Sequence, residues 1–339
     1  MDIEYKWTTR TLLDQLVTKL SGEKVMIYGP VTKDELTEFA EVASFSDINT
    51  EVVNTNQSAK SVVFPKYESL FQIIREKGSI SLIQNELEKL PEIVTIGTRP
   101  CDARGLQVLN TIFDGEIKDQ IYLGRLSKLT TISIACTNHD NYCFCTSLQS
   151  GPGSVDGSDI LLTPDEEDGF FVEVITEKGK KIVESLPDCF EEAKDFDKES
   201  HLAKVPVVFD SSKFLGKLGD RFEDAVWVEQ SLRCIGCGTC AYVCPTCGCF
   251  DIQDVSTPGM TQRKRSWDSC GFDLFTLHAS GHNPRNIQSK RWRQRIFHKF
   301  QYMPESDNVA GCVGCGRCSR TCSVDMNLKT HLTKLADEF

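Results

Sequence analysis

The chain has 339 residues, 40% of them hydrophobic and 26% charged, and a formal net charge of −11. Such a length and composition describe a soluble globular protein of two domains, and the acidic balance, with no DNA- or RNA-reading motif, argues against non-specific nucleic-acid binding. No run approaches the roughly 18 apolar residues needed to span a bilayer, and MDIEYKWTTRTLLDQL at the start resembles no export signal, so the sixteen cysteines point to a reducing cytoplasm and to thiolates used as metal ligands.

In chain order, Thr11 to Leu20 reads as an amphipathic helix, and Lys24 to Tyr28 as a short strand ended by Gly29-Pro30. Thr32 with Glu35 has the form of a capping box, predicting a helix to about Ala43, and Glu51 to Val53 reads as a strand. Glu92 to Gly97 is an apolar strand, followed by Cys101 and a helix from about Ala103 to Phe113; Thr130 to Ala135 is a second buried strand with Cys136 just beyond it. After the polar loop SGPGSVDGS come strands at Ile160 to Leu162 and Phe170 to Ile175, then a helix over Lys178 to Leu186. This βαβ rhythm predicts an α/β domain with a largely parallel sheet over residues 1–225, and two cysteine runs of one spacing, beginning at Cys234 and Cys312, predict a C-terminal α+β/helical dicluster ferredoxin-like domain over 226–339.

The C-terminal part carries two runs of one spacing, C-x2-C-x2-C-x3-C: Cys234, Cys237, Cys240, Cys244 and Cys312, Cys315, Cys318, Cys322. In ferredoxins with this run, three close thiolates grip one [4Fe-4S] cube and the fourth reaches the other cube. The expected ligand sets are therefore Cys234, Cys237, Cys240 with Cys322, and Cys312, Cys315, Cys318 with Cys244. Tetrahedral zinc also uses C-x2-C pairs, but it takes four ligands per site and has no use for a third close cysteine. Pro245 follows the first run as is usual, whereas Ser323 stands in that place after the second. Charge divides in the same way: residues 1–225 hold 24 Lys/Arg against 39 Asp/Glu, net −15, and 226–339 hold 14 against 10, net +4. A basic shell offsets the charge of anionic clusters, and equally suits an acidic partner.

Cys101, Cys136, Cys143 and Cys145 lie at or beyond the carboxyl ends of two predicted strands, the edge at which α/β sheets bind ligands. They are candidates for a third [4Fe-4S] cluster, with zinc or buried structural thiols as alternatives. Cys247, Cys249 and Cys270 form a further trio, with Asp268, His278 and His282 near in sequence, for an additional metal site, a redox-active set or simple packing; Cys189 stands alone and reads as structural. Gly151 and Gly153 are candidates for lining a flavin or nucleotide phosphate, although GPGSVDG is not the G-x-G-x-x-G of a strand-to-helix turn. About 67 residues separate Cys244 from Cys312, so the dicluster unit carries an insertion, rich in RKRSW, GHNPR and KRWRQRIFHKFQY, where charge compensation, packing over the clusters and partner docking outweigh nucleic-acid contact.

CIGCGTCAYVCPTCGCFDIQDV, RSWDSC, GHNPR, RQRIFHKFQY and CVGCGRC, together with FPKYESLF, TRPCDARGL and ACTNHDNYCFC, resemble the iron-sulfur protein family shared by anaerobic sulfite reductase and by the sulfhydrogenase β subunit. TRPCDARGL and ISIAC are also distantly similar to the iron-sulfur flavoprotein of F420-reducing hydrogenase, which adds FAD to the expected cofactors. The resemblance implies an anaerobic electron-transfer subunit of a hetero-oligomeric oxidoreductase, relaying electrons between a flavin/NAD(P)H or ferredoxin module and a separate reductase or hydrogenase subunit. The competing reading is a flavin-containing F420 or NAD(P)H oxidoreductase subunit with its own substrate site.

Overall fold

Two sheets organise the chain in the computed structural model, which describes residues 3–84 and 86–339. In chain order the strands are β1 (Glu4–Thr9), β2 (Met26–Lys33), β3 (Leu36–Glu41), β4 (Tyr67–Glu76), β5 (Ser79–Gln84), β6 (Ile93–Thr98), β7 (Leu129–Ile134), β8 (Ile160–Pro164), β9 (Gly169–Val174), β10 (Glu191–Glu192), β11 (Phe250–Thr257) and β12 (Met260–Trp267). Eight of them form one sheet in the order β10-β1-β9-β8-β7-β6-β2-β3. Its centre, β2-β6-β7-β8, is parallel, while both flanks pair antiparallel. The sheet is therefore mixed rather than largely parallel. β6 is buried along its whole length, which is why its sequence runs IVTIGT with no polar-apolar alternation.

Helix Arg10–Gly22 packs Leu13, Leu16, Val17 and Leu20, spaced three and four apart, into the core with Ile27, Ile96 and Ile132. Helix Pro100–Phe113 begins one turn earlier than the sequence reading, with Pro100 in its first turn, so Cys101 belongs to the helix. The helix expected from Thr32 to Ala43 is absent. Asp34 and Glu35 adopt positive φ (48° and 67°) and turn β2 into β3 as a hairpin, so the Thr32/Glu35 pattern marks a turn and not a cap. β2 also continues through Gly29-Pro30, and residues 51–53 are loop rather than strand, with the carbonyls of Thr50 and Val52 accepting from the Arg99 guanidinium.

The second sheet, β11-β12-β4-β5, is antiparallel and pairs a hairpin of the first half with one from the insertion between the cysteine runs. Arg265 on β12 fixes the junction by donating to Glu68 on β4 at 2.9 and 2.6 Å and by pairing with Asp119. A further core gathers Phe144, Phe209 and Phe214 with Trp292, Phe297, Phe300, Leu332 and Leu335. Both features cross residue 226, the border expected between the two domains. Helix Gln288–Phe297 runs into a widened π-type turn at His298–Tyr302 that buries Lys299, Phe300 and Gln301. Among the described residues no helix is long and apolar enough to cross a membrane.

Candidate metal centres

The two cysteine runs fold alike. Gly236 and Gly238 have φ of 71° and 75°, Gly314 and Gly316 67° and 71°, and each second glycine leads into a short helical turn, Thr239–Tyr242 or Arg317–Arg320. Left-handed glycines curl each C-x2-C-x2-C segment so that its sulfurs face inward. A side chain at Gly316 would come within 2.6 Å of the Tyr142 carbonyl oxygen, and one at Gly314 within 2.6 Å of the Cys145 nitrogen, so the second run presses directly on the loop bearing Cys143 and Cys145.

Three cavities collect the cysteines. The first is lined by Cys234, Cys237, Cys240 and Cys322, with Cys270 and Cys318 also at its wall. The second is lined by Cys244, Cys312, Cys315 and Cys318, the set expected from the crossed fourth ligand, and by Phe144, Val313 and Leu328. The third is lined by Cys101, Cys136, Cys143 and Cys145, with Cys315 beside them. Cys101 opens its helix at the end of β6 and Cys136 lies two residues past β7, so neighbouring parallel strands deliver both to one edge. The Cys143–Cys145 loop is held there by Phe144 N–H donating to Gly314 O at 2.9 Å, and by Arg320 donating to Asp140 at 2.7 Å. Among the described residues no three His, Cys, Asp or Glu side chains close on one point as a single ion requires; these thiols instead stand round hollow spaces.

The environment favours an anionic, sulfur-rich occupant. Gln288 donates its amide to Cys234 Sγ at 3.0 Å, and Met326 N–H donates to Cys322 Sγ at 3.3 Å across the turn where Asp325 takes a φ of 52°. The segment after the second run, lacking a proline, thus supplies an N–H to its last sulfur, whereas Pro245 packs against Gly105 of the Pro100–Phe113 helix. Lys299 Nζ lies 3.5 Å from Cys244 Sγ and also donates to Thr246 Oγ1 and Gly311 O at 2.8 and 2.7 Å. Arg295 reaches Cys247 Sγ at 3.8 Å and Cys240 O at 3.1 Å, and Lys60 donates to the carbonyls of Ala241 and Cys247 at 3.0 and 2.9 Å. All three cations are buried, and none pairs with a carboxylate among the described residues. Uncompensated buried charge is costly, so their counter-charge has to come from the sulfur side. Burial pulls Lys299 down, yet Cys244 and Cys247 leave its ammonium above its ordinary range, whereas burial lowers Lys60 to about 8.

As free thiols, four of the cysteines in the second and third cavities are held protonated, whereas a hydrogen bond with Cys247, with Lys299 and Arg295 nearby, holds Cys244 well below the usual thiol range. Burial pushes Cys136 up to about 11 and Cys145 to about 12, and in the second cavity Cys312 to about 12 and Cys315 to about 11. Metal loading at these positions therefore releases protons. Arg317, wholly buried, ties the second run to the third cavity by donating to Asp102 Oδ2 at 2.7 Å and to Thr55 O and Oγ1 at 2.9 Å.

The remaining candidates divide. The Cys249 and Cys270 thiols lie beside each other, as do Cys247 and Cys244, while Asp268 caps the Ser269 N–H at 2.6 Å and His278 and His282 sit on an exposed turn. Cys189 is buried in the sheet core. Gly151 borders the third cavity, and Gly153 is covered by Leu202 and Lys198. Lys60 and Gln288 gave no sign in the sequence, whereas Arg295 and Lys299 lie in the RQRIFHK stretch read as charge compensation.

Comparison with known proteins agrees with this geometry. The model of the 4Fe-4S dicluster domain matches residues 233–326. The chain is 30% identical over 304 residues to sulfhydrogenase 2 subunit beta of Pyrococcus furiosus, covering 87% of this chain and 88% of that one. No solved structure matches. The chain therefore belongs to the sulfhydrogenase β-subunit family of iron-sulfur proteins.

Proposed function

We propose that this chain is the wiring subunit of an oxidoreductase complex, carrying electrons between a flavin/NAD(P)H or ferredoxin module and a separate reductase or hydrogenase subunit. The observation that carries the reading is continuity: Cys318 lines both the first and second cavities, and Cys315 both the second and third. Cys234, Cys237, Cys240 and Cys322 would hold one [4Fe-4S] cluster, Cys244, Cys312, Cys315 and Cys318 a second, and Cys101, Cys136, Cys143 and Cys145 a third. Each cluster, when bound, supplies one-electron redox chemistry at a potential set by hydrogen bonds to sulfur, burial and net charge. The protein's part is to shape those three quantities. Gln288 and the Met326 N–H donate to sulfur, Phe144, Val313 and Leu328 keep the second cavity dry, and Arg295 and Lys299 offset negative charge between the first two. The relative's name, a subunit of sulfhydrogenase, supports a hetero-oligomer.

Reductive titration of the anaerobically purified chain tests the reading. Uptake of about three electrons per chain, with no oxidation of NAD(P)H or F420 until partner subunits are added, is the expected result. A yellow cofactor released on denaturation, together with NAD(P)H or F420 oxidation by the lone chain, would instead support an enzyme with its own flavin site.

A further inference from the structure

A band of apolar side chains surrounds the most accessible sulfur of the molecule. Of the sixteen cysteines, all among the described residues, only Cys237 is exposed. Beside it Ile235 is 65% exposed and Leu232 78%, with Val228 one helical turn earlier on the same face. The segment 271–277 borders the same loop: the Gly271 carbonyl lies 3.6 Å from where a side chain on Gly236 would begin, Phe272 covers Gly238, and Leu274 is 72% exposed with Leu277 close behind. On the other side exposed Ile287 precedes Gln288, the amide donor to Cys234. Single exposed apolar residues are ordinary, but a contiguous band with a polar rim marks an interaction site.

The rim has a sign. Arg233 pairs with Asp325, Arg291 with Asp273 and Lys334 with Glu229, which leaves Arg285 and Lys290 with no carboxylate partner among the described residues. The rate of electron transfer falls steeply with distance, and the cysteines of the second and third cavities are all buried or half-buried. A partner gains most by covering the loop at Cys237.

We propose that the face formed by Val228, Leu232, Ile235, Leu274, Leu277 and Ile287 is the docking surface of a redox protein subunit that brings its own one-electron cofactor under an acidic rim. The proposal rests on the reading of the cavities as cluster sites. In each transfer the partner's cofactor loses one electron and this chain gains it, or the reverse, and no bond is made or broken. A second cluster of apolar exposure, Ile80, Leu82 and Ile83 on edge strand β5, borders none of the cysteine cavities.

The test is amide hydrogen exchange on the full chain alone and in the complex purified with its co-expressed partner subunits. Segments 228–238, 271–277 and 285–290 should slow at least about tenfold in the complex, as expected for amides buried in an interface. Leu232→Asp and Leu274→Asp, both on exposed side chains that line none of the cysteine cavities, should release this subunit in gel filtration with iron content unchanged, and Lys290→Glu with Arg285→Glu should make the complex dissociate at lower salt. Equal exchange of these segments in both states, above all with protection appearing at Ser79–Gln84, overturns the docking surface and leaves the wiring role standing. A chain that assembles with no redox subunit and holds no iron overturns both.

Discussion

Replacing Lys299 by methionine removes a buried charge at nearly constant volume. Its Nζ stands 3.5 Å from Cys244 Sγ, with Thr246 Oγ1 and Gly311 O as its other partners and no carboxylate paired with it among the described residues. At an effective dielectric constant of about 20, unit charges that far apart interact by about 5 kcal/mol, an upper bound because an added electron is spread over a whole cluster. Taking less than half of that gives ~2 kcal/mol, or roughly 80 mV for a one-electron couple. The cation stabilises the reduced, more negative state, so its loss should drive one reduction potential down by that amount and the others by less. Lys299→Arg should hold the wild-type value, and Lys299→Gln, which keeps a donor for Gly311 O, should follow methionine if methionine impairs folding. Potentiometric titration followed by electron paramagnetic resonance reads the shift. Full iron content with every potential within ~10 mV of wild type in both neutral variants would refute the assignment of Lys299 as a cluster-facing charge.

Three further outcomes follow from the same geometry. Asp102→Asn breaks a pair whose side chains are 1% and 0% exposed; leaving Arg317 unpaired should cost about 3–5 kcal/mol in denaturant unfolding. His298 is held down to about 4 by burial and by the cations Lys299, Arg285 and Arg295. The unfolded chain therefore binds its proton first, near pH 6.5, so His298 contributes stability fully above that pH and loses it as pH falls toward 4, by up to ~3 kcal/mol; His298→Gln should flatten this part of the pH profile of unfolding. Gly316→Ala puts a Cβ at a φ of 71° and against the Tyr142 carbonyl; the strain of about 1–3 kcal/mol falls on the contact between the second and third cavities, and iron analysis should show a deficit beyond that of a remote surface variant.

What was legible in the sequence follows from how local each signal is. The two cysteine runs encode their own loops, because spacing and left-handed glycines act within a dozen residues; Cys322 lines the first cavity and Cys244 the second. Cys101 and Cys136 could be read from strand ends, since parallel neighbours β6 and β7 bring successive carboxyl ends together. The Thr32/Glu35 pattern misled because a capping box and a hairpin turn share polar residues, and positive φ at Asp34 and Glu35 decided for the turn. The pairing that crosses residue 226 was hidden for a different reason. β4 and β12 pair across nearly 200 positions of sequence, with Arg265 meeting Glu68, and no local pattern announces such a partner. Lys60 was invisible on the same ground: its role depends on Cys247, which only the fold brings beside it.

The third cavity is the decisive one, because Cys101, Cys136, Cys143 and Cys145 belong to no repeated run and extend the row beyond a two-cluster unit. Iron and sulfide analysis of anaerobically reconstituted wild type and Cys145→Ala decides it. Three clusters predict about twelve irons per chain, falling to about eight in the variant with the other two clusters intact. Full iron retained in Cys145→Ala would remove the third cluster, and fewer than about eight irons in the wild type would contradict the paired clusters as well.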